Sequence, residues 1–216
     1  MFEKILNFVF PNVCGFCNKI NENSLCKTCE MILKKYEIDT IKDYKKDKSK
    51  YFDYLFCALK YEYLVREKII SYKFNENAYL YKTFAKFIIK NEKTYSFFKS
   101  YDIILSVPMY KNKQAVRGYN QSELIANELS KRLNINYQKG NLIKIKDTKT
   151  QSTLTKIQRK DNIKGVFLIK DRDKIKDKKI ILVDDIYTTG NTVNECSKIL
   201  KKEGAKEIIV VTIAKD

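Results

Sequence analysis

Residues 183–192 read Val183-Asp184-Asp185-Ile186-Tyr187-Thr188-Thr189-Gly190-Asn191-Thr192, two adjacent carboxylates followed by three threonines and a glycine. Small hydroxylated residues around a glycine suit an anion. Successive amides at a helix start make a nest, the helix dipole favours negative charge, and threonine hydroxyls add donors. Gly190 lets the backbone approach closely. Two acids beside such a cradle would repel phosphate unless they face another part of the ligand. Ribose hydroxyls are such a part, because carboxylates accept their hydrogen bonds, as the acid of a dinucleotide-binding fold does. The pattern predicts a ligand with a phosphate at one end and a diol in the middle. A Mg2+ carried on that ligand would favour the acids further.

A second group of chemical residues is Cys14-x2-Cys17 and Cys26-x2-Cys29, two identical knuckles eight residues apart. Four thiolates close a tetrahedron round Zn2+, and such a site has no open position for catalysis. Gly15 sits inside the first turn, where a positive φ is expected, and Lys19 and Lys27 are placed to offset the negative charge of the cluster. Two disulfides or a redox pair are the alternatives; an intracellular setting disfavours the first. Cys57 and Cys196 stand alone in apolar surroundings and read as core.

Composition narrows the remaining chemistry. The 216 residues contain no His, which excludes Ser-His-Asp and Cys-His catalysis and any His-ligated metal. The 43 Lys and Arg against 26 Asp and Glu give a net charge of +17, which attracts polyanions. The same excess fits the amino-acid bias of an AT-rich genome, since only Arg66, Arg117, Arg132, Arg159 and Arg172 are arginines. No apolar run approaches the ~18 residues of a membrane span. Residues 1–14 are apolar but short, contain Glu3 and lack a small-residue cleavage site, so they read as a packed segment and not a signal peptide. A cytoplasmic location is expected.

These residues need elements to hold them. The charged stretch 42–50 has no apolar period and reads as a linker or solvated surface, placing a boundary near residue 50: ribbon and linker over 1–50, a larger domain over 51–216. Residues 51–63 mix aromatic and polar types and read as strand. Helices are expected over 64–73 and 78–91, the second with Leu80, Phe84, Phe87 and Ile88 on one face. Residues 101–107 form a short apolar strand that stops at Pro108, followed by a polar loop over 109–119. Asn120 caps the next helix, with Glu123 as its capping-box partner. Residues 178–185 and 207–214 read as buried strands flanking a helix over 192–203 that Gly204 terminates. Apolar strands alternating with amphipathic helices give an α/β fold with a mostly parallel sheet covered on both faces. Its ligand site lies at the carboxyl ends of the strands.

The strand, the two acids and Thr-Thr-Gly-x-Thr resemble the signature of type I phosphoribosyltransferases for 5-phosphoribosyl-1-pyrophosphate (PRPP). Further stretches narrow the resemblance: the four-Cys ribbon; Ser106-Val107-Pro108 leading to Arg117-Gly118-Tyr119-Asn120-Gln121; and Thr148-Lys149-Thr150-Gln151-Ser152-Thr153-Leu154 followed by Arg159, Asn162, Gly165 and Phe167. In this order they are similar to the ComF family, associated with DNA uptake in natural transformation. Tyr119 stands where Phe is usual, and Lys111 and Lys113 where Arg is common; Lys keeps the charge but loses the bidentate grip on phosphate.

The resemblance implies a type I phosphoribosyltransferase-like fold behind a small zinc ribbon. It implies that Asp184 and Asp185 hold the ribose hydroxyls, and that Thr188, Thr189, Gly190, Asn191 and Thr192 hold the 5-phosphate. Pro108 to Lys111 would lie by the pyrophosphate with Arg117 nearby, and residues 148–162, carrying Arg159, would close over PRPP. Lys73 matches a lysine of the family pattern without an assignable role. The implied reaction transfers phosphoribose, with Mg2+, to an acceptor that no residue identifies. The alternatives are a non-catalytic competence factor binding single-stranded DNA within the DNA-uptake machinery, and a PRPP-responsive regulator. The 15 Tyr and 12 Phe permit base stacking but equally fill a core.

Overall fold

The computed structural model describes residues 13–74, 77–147 and 165–216. After the cysteine knuckles come α1 (Lys27–Leu33), a 3-10 turn (Lys34–Tyr36) and β1 (Glu37–Asp43). β2 (Tyr54–Lys60) leads to α2 (Tyr63–Phe74), α3 (Leu80–Ile88) and α4 (Glu92–Lys99). β3 (Ile103–Ser106), α5 (Lys111–Arg117), α6 (Gln121–Leu133) and β4 (Asn136–Tyr137) follow, then β5 (Leu142–Lys144) and β6 (Phe167–Ile169). The chain continues through β7 (Lys179–Tyr187), α7 (Asn191–Lys202) and β8 (Glu207–Lys215).

Among the described residues, six strands make one sheet in the order β1-β2-β8-β7-β3-β4. β1 pairs antiparallel with β2, and every other pairing is parallel. β5 and β6 form a separate antiparallel pair. Alternation along the strands explains why both faces are covered. Ile181, Val183, Ile209 and Val211 enter the core cluster that contains α2, α3 and α6 residues. Ile180, Leu182, Ile208 and Val210 enter the opposite cluster, with Val193, Cys196 and Leu200 of α7. A parallel sheet buried on both sides needs such near-continuous apolar runs. The expected α/β architecture is present.

Several elements differ from the sequence reading. Residues 37–43 form the edge strand of the main sheet, so the stretch before residue 50 is built into the larger domain. Residues 44–50 are mostly exposed and connect two neighbouring strands, with Ser49 and Tyr51 tied to Asn194 of α7. The polar stretch 109–119 contains helix α5, which Gly118 ends in the left-handed region. The expected helix over 78–91 closes at Ile88, and Asn91 caps α4 by accepting from the Lys93 amide. Asn120 caps α6 as expected, through Ser122, while the Glu123 carboxylate lies 2.6 Å from Lys139 Nζ.

The ribbon docks on α3. Phe16 packs edge-on against Phe84 and Phe87, and Thr83 Oγ1 donates to the Ser24 carbonyl at 2.7 Å. Gly15 does not adopt a positive φ; Asn18 does. Gly15 is needed for close approach instead, since a Cβ there would lie 2.8 Å from Leu80 Cδ2. Cys14 and Cys29 thus share a core cluster with the sheet, and Cys26 packs against it. Among the described residues, no helix is long and apolar enough to cross a membrane. Residues 1–12, the packed N-terminal segment of the sequence reading, lie outside the described residues.

Candidate active site and metal centre

β3 and β7 are neighbours, with Ser106 opposite Val183, and the Val107 amide donates to the Val183 carbonyl at 2.9 Å. This register places the loop after β3 beside the acid pair at the end of β7. Asp184 Oδ1 accepts from Ser122 Oγ at 3.1 Å and from the Asp185 amide at 2.9 Å. Asp185 Oδ1 accepts from the Ile186 amide, and its Oδ2 lies 2.7 Å from Lys73 Nζ. Lys73, in the last turn of α2, is a site residue the sequence left without a role. Only the fold brings it across more than a hundred residues to Asp185, and its family-pattern match was the single signal.

Burial, and then the neighbouring Asp185 charge, push the Asp184 carboxyl up to about 7; the Asp185 amide, Lys73 and Ser122 oppose them. A carboxyl raised above its unfolded value stabilises the fold most at low pH, and that contribution is lost as pH rises through about 7. Hydrogen bonds from sugar hydroxyls are stronger to the ionised carboxylate, so affinity for a diol ligand should rise over the same range. Lys73→Met removes an opposing cation and should move the Asp184 midpoint higher. A carboxyl 13C titration of the free protein tests this; a midpoint near 4, or one unmoved by Lys73→Met, overturns it.

The acids, Lys73 and residues 186–193 line one cavity of about 440 Å3. Gly190 caps α7 with φ +73° and offers its first turn no side-chain acceptor, while Thr189 Oγ1 accepts from the Asn191 amide at a long 3.5 Å. Asn191, Thr192 and Val193 of its first turn line the cavity, as an anion-binding helix start requires. Gly190 is obligatory twice over: a side chain is strained at that φ, and a Cβ would lie 2.6 Å from Tyr187 Cζ. Thr188 is exposed and Thr189 partly buried.

A smaller adjoining cavity of about 120 Å3 shares Val107, Asp184 and Asp185 and adds Pro108, Lys113, Gln121 and Lys144. Burial and the nearby Lys113 lower the Lys144 pKa. Lys144 sits on β5, and nothing in the sequence singled it out. Lys111 lines a third cavity of about 480 Å3 with Pro108 and Lys144, whose wall does not include the acids. Arg117 does not line these cavities; its Nη1 donates to Gln121 Oε1 at 2.9 Å and its guanidinium lies 4.9 Å above the Phe74 ring. The Tyr119 hydroxyl, absent from the usual Phe, donates to the Tyr72 carbonyl at 2.5 Å. Arg159 and residues 148–164 lie outside the described residues.

Among the described residues, Cys14, Cys17, Cys26 and Cys29 form the one cluster with metal-ligand geometry, all four Sγ within 4.8 Å of one another. Cys17 Sγ and Cys26 Sγ are 3.8 Å apart. A tetrahedral site with Zn–S of about 2.3 Å has edges of about 3.8 Å. Burial raises the Cys14 thiol, but amides of Cys17, Cys26 and Phe16 outweigh it and hold the group at about 6. Burial and neighbouring thiols push Cys29 up. Four thiols this close cannot all ionise without a cation, so the residues fit a structural Zn2+. Cys57 and Cys196 are buried in the core.

The family model for the phosphoribosyl transferase domain matches residues 120–216. Competence protein F of Haemophilus influenzae is 34% identical over 148 residues, 67% of this chain and 65% of that protein. Competence protein ComFC of Streptococcus pneumoniae is 30% identical over 148 residues, 68% of this chain and 62% of that protein. DNA utilization protein YhgH of Escherichia coli K12 is 33% identical over 109 residues, 50% of this chain and 47% of that protein. The chain therefore spans between about half and just under two thirds of the length of these relatives. A match to the phosphoribosyl transferase domain over residues 120–216, a four-cysteine cluster ahead of it, and competence proteins among its relatives are the features by which the chain is similar to the ComF family.

Proposed function

We propose that the protein binds PRPP with Mg2+ and transfers phosphoribose to an acceptor, releasing pyrophosphate, within DNA uptake in the cytoplasm. One observation carries the reading: the acid pair and the glycine-capped start of α7 line a single cavity of about 440 Å3. Its size suits a small-molecule ligand. The first-turn residues of α7 take the 5-phosphate, and Asp184 and Asp185 accept from the ribose hydroxyls. Lys73 keeps Asp185 neutralised, so an anionic ligand can approach two adjacent carboxylates. Lys113 and Lys144 line the adjoining cavity, where the pyrophosphate end would lie. Mg2+ bound with the ligand would neutralise charge on the leaving group.

In the transfer, an electron pair of the acceptor forms the new bond to the anomeric carbon. The bond to pyrophosphate breaks with its electrons leaving on oxygen, through an oxocarbenium-like transition state. The acceptor's proton is lost to solvent or to an ionised carboxylate. Titration calorimetry with PRPP, with and without Mg2+, tests the pocket; saturable Mg2+-dependent binding is expected. No heat in either condition removes PRPP from the function.

The names of the relatives favour a second reading, a DNA-handling factor in which the pocket senses PRPP or is a remnant. That reading expects single-stranded DNA affinity that falls steeply with salt, its slope set by the phosphates contacted.

A further inference from the structure

Gln121 opens α6 and is 1% exposed. Its side chain faces two demands at once. Oε1 accepts from Arg117 Nη1 at 2.9 Å. A guanidinium only donates, so the amide oxygen must be the atom turned to Arg117 and the amide nitrogen must turn away. That nitrogen is buried without a hydrogen-bond partner among the described residues. An orphaned buried donor is costly, and an acceptor oxygen brought by a ligand is one way to recover that cost.

The surroundings indicate which acceptor. Gln121 lines the cavity of about 120 Å3 together with Tyr110, Lys113, Lys144 and the two acids. An amide donor and two lysines lining one cavity favour an oxygen-rich anionic group. The same cavity meets the larger one at Val107, Asp184 and Asp185. A ligand spanning both would place its phosphate on α7, its diol at the acids and a second anionic group beside Gln121.

We infer that Gln121 Nε2 donates to an oxygen of the pyrophosphate group, with Arg117 as the positioning residue that holds the amide in its donating orientation; the inference rests on the PRPP reading above. Arg117 acts through Gln121. Its guanidinium is stacked on Phe74 and turned to the Gln121 oxygen, and it does not line the cavity.

The test is calorimetry on the full chain with three probes: Mg2+-PRPP, Mg2+-pyrophosphate and ribose 5-phosphate. Gln121→Met keeps the volume and removes the donor; Gln121→Glu keeps the shape and replaces the donor by an anion. Both should lower affinity for PRPP and pyrophosphate about tenfold or more, the loss of one hydrogen bond to a charged oxygen. Affinity for ribose 5-phosphate should stay within about twofold, which also shows that the variants fold. Arg117→Met should weaken pyrophosphate binding severalfold and Arg117→Lys should restore most of it. Arg117→Met should add nothing in the Gln121→Met background, because the two residues act as one unit. Wild-type pyrophosphate affinity in both Gln121 variants overturns the inference alone, and so does equal loss of all three probes. Additive effects of the two substitutions remove the positioning role. A wild-type chain that binds no PRPP overturns this inference together with the reading beneath it.

Discussion

Replacing Asp184 and Asp185 together by Asn is expected to abolish PRPP binding, a loss of at least about a hundredfold, while the domain stays folded. Hydrogen bonds to a charged partner contribute about 1.5–3 kcal/mol each, so two lost together reach that factor. The fold should tolerate the change because burial already favours a neutral Asp184. An Asn at 184 relieves that cost and the repulsion from the neighbouring charge. Lys73 loses its ion-pair partner, but both side chains are partly exposed, at 20% and 17%, so this costs less than breaking a buried pair. Calorimetry paired with a thermal melt reads both halves. Retained binding removes the acids from the site; a collapsed melting transition makes them structural.

Loss of the metal is the second large effect. Cys14→Ser should release Zn2+ and free the ribbon from α3, seen as lost zinc by elemental analysis and new protease cuts within residues 13–36. Structural zinc contributes apparent energies of about 10–16 kcal/mol in isolated zinc-finger peptides at pH 7. That range is an upper bound here, since Phe16 and Thr83 also hold the ribbon. The damage should spread beyond the knuckles because Cys14, Phe16 and Leu33 share a core cluster with Leu80 and Phe84. Wild-type protein purified under reducing conditions without zinc overturns the assignment.

The sequence showed most clearly those parts whose chemistry is local. A strand, two acids and a glycine-capped helix start are contiguous, so residues 183–192 show the acid pair and the helix start in one run. The four-Cys cluster was legible for the same reason. Features that depend on tertiary placement were hidden. Lys73 and Lys144 reach the two cavities from α2 and β5, and no spacing encodes that. Arg117, expected beside phosphate in a chain poor in arginine, is taken up by Gln121 and Phe74. Helix α5 has no buried residue and no side-chain cap, so Lys111–Arg117 shows neither an apolar period nor a start signal. β1 was masked because an edge strand carries charge on its exposed positions, and its neighbouring lysines made the segment look like a tether.

The sheet order has a consequence for synthesis. β8, the strand made last among those described, lies between β2 and β7. A nascent chain that has not yet delivered residues 207–215 holds two separate pieces, β1-β2 and β7-β3-β4, each with an open hydrogen-bonding edge. Long-range parallel pairing of this kind is slow, and such edges are where half-made chains stick to one another. The four-cysteine knuckles, by contrast, emerge early, while the sheet is still divided. The acid pair cannot mature early, because Asp184 pairs in register with Thr212 of that final strand. The pocket therefore rests on a sheet that is joined only once residues 207–215 are in place.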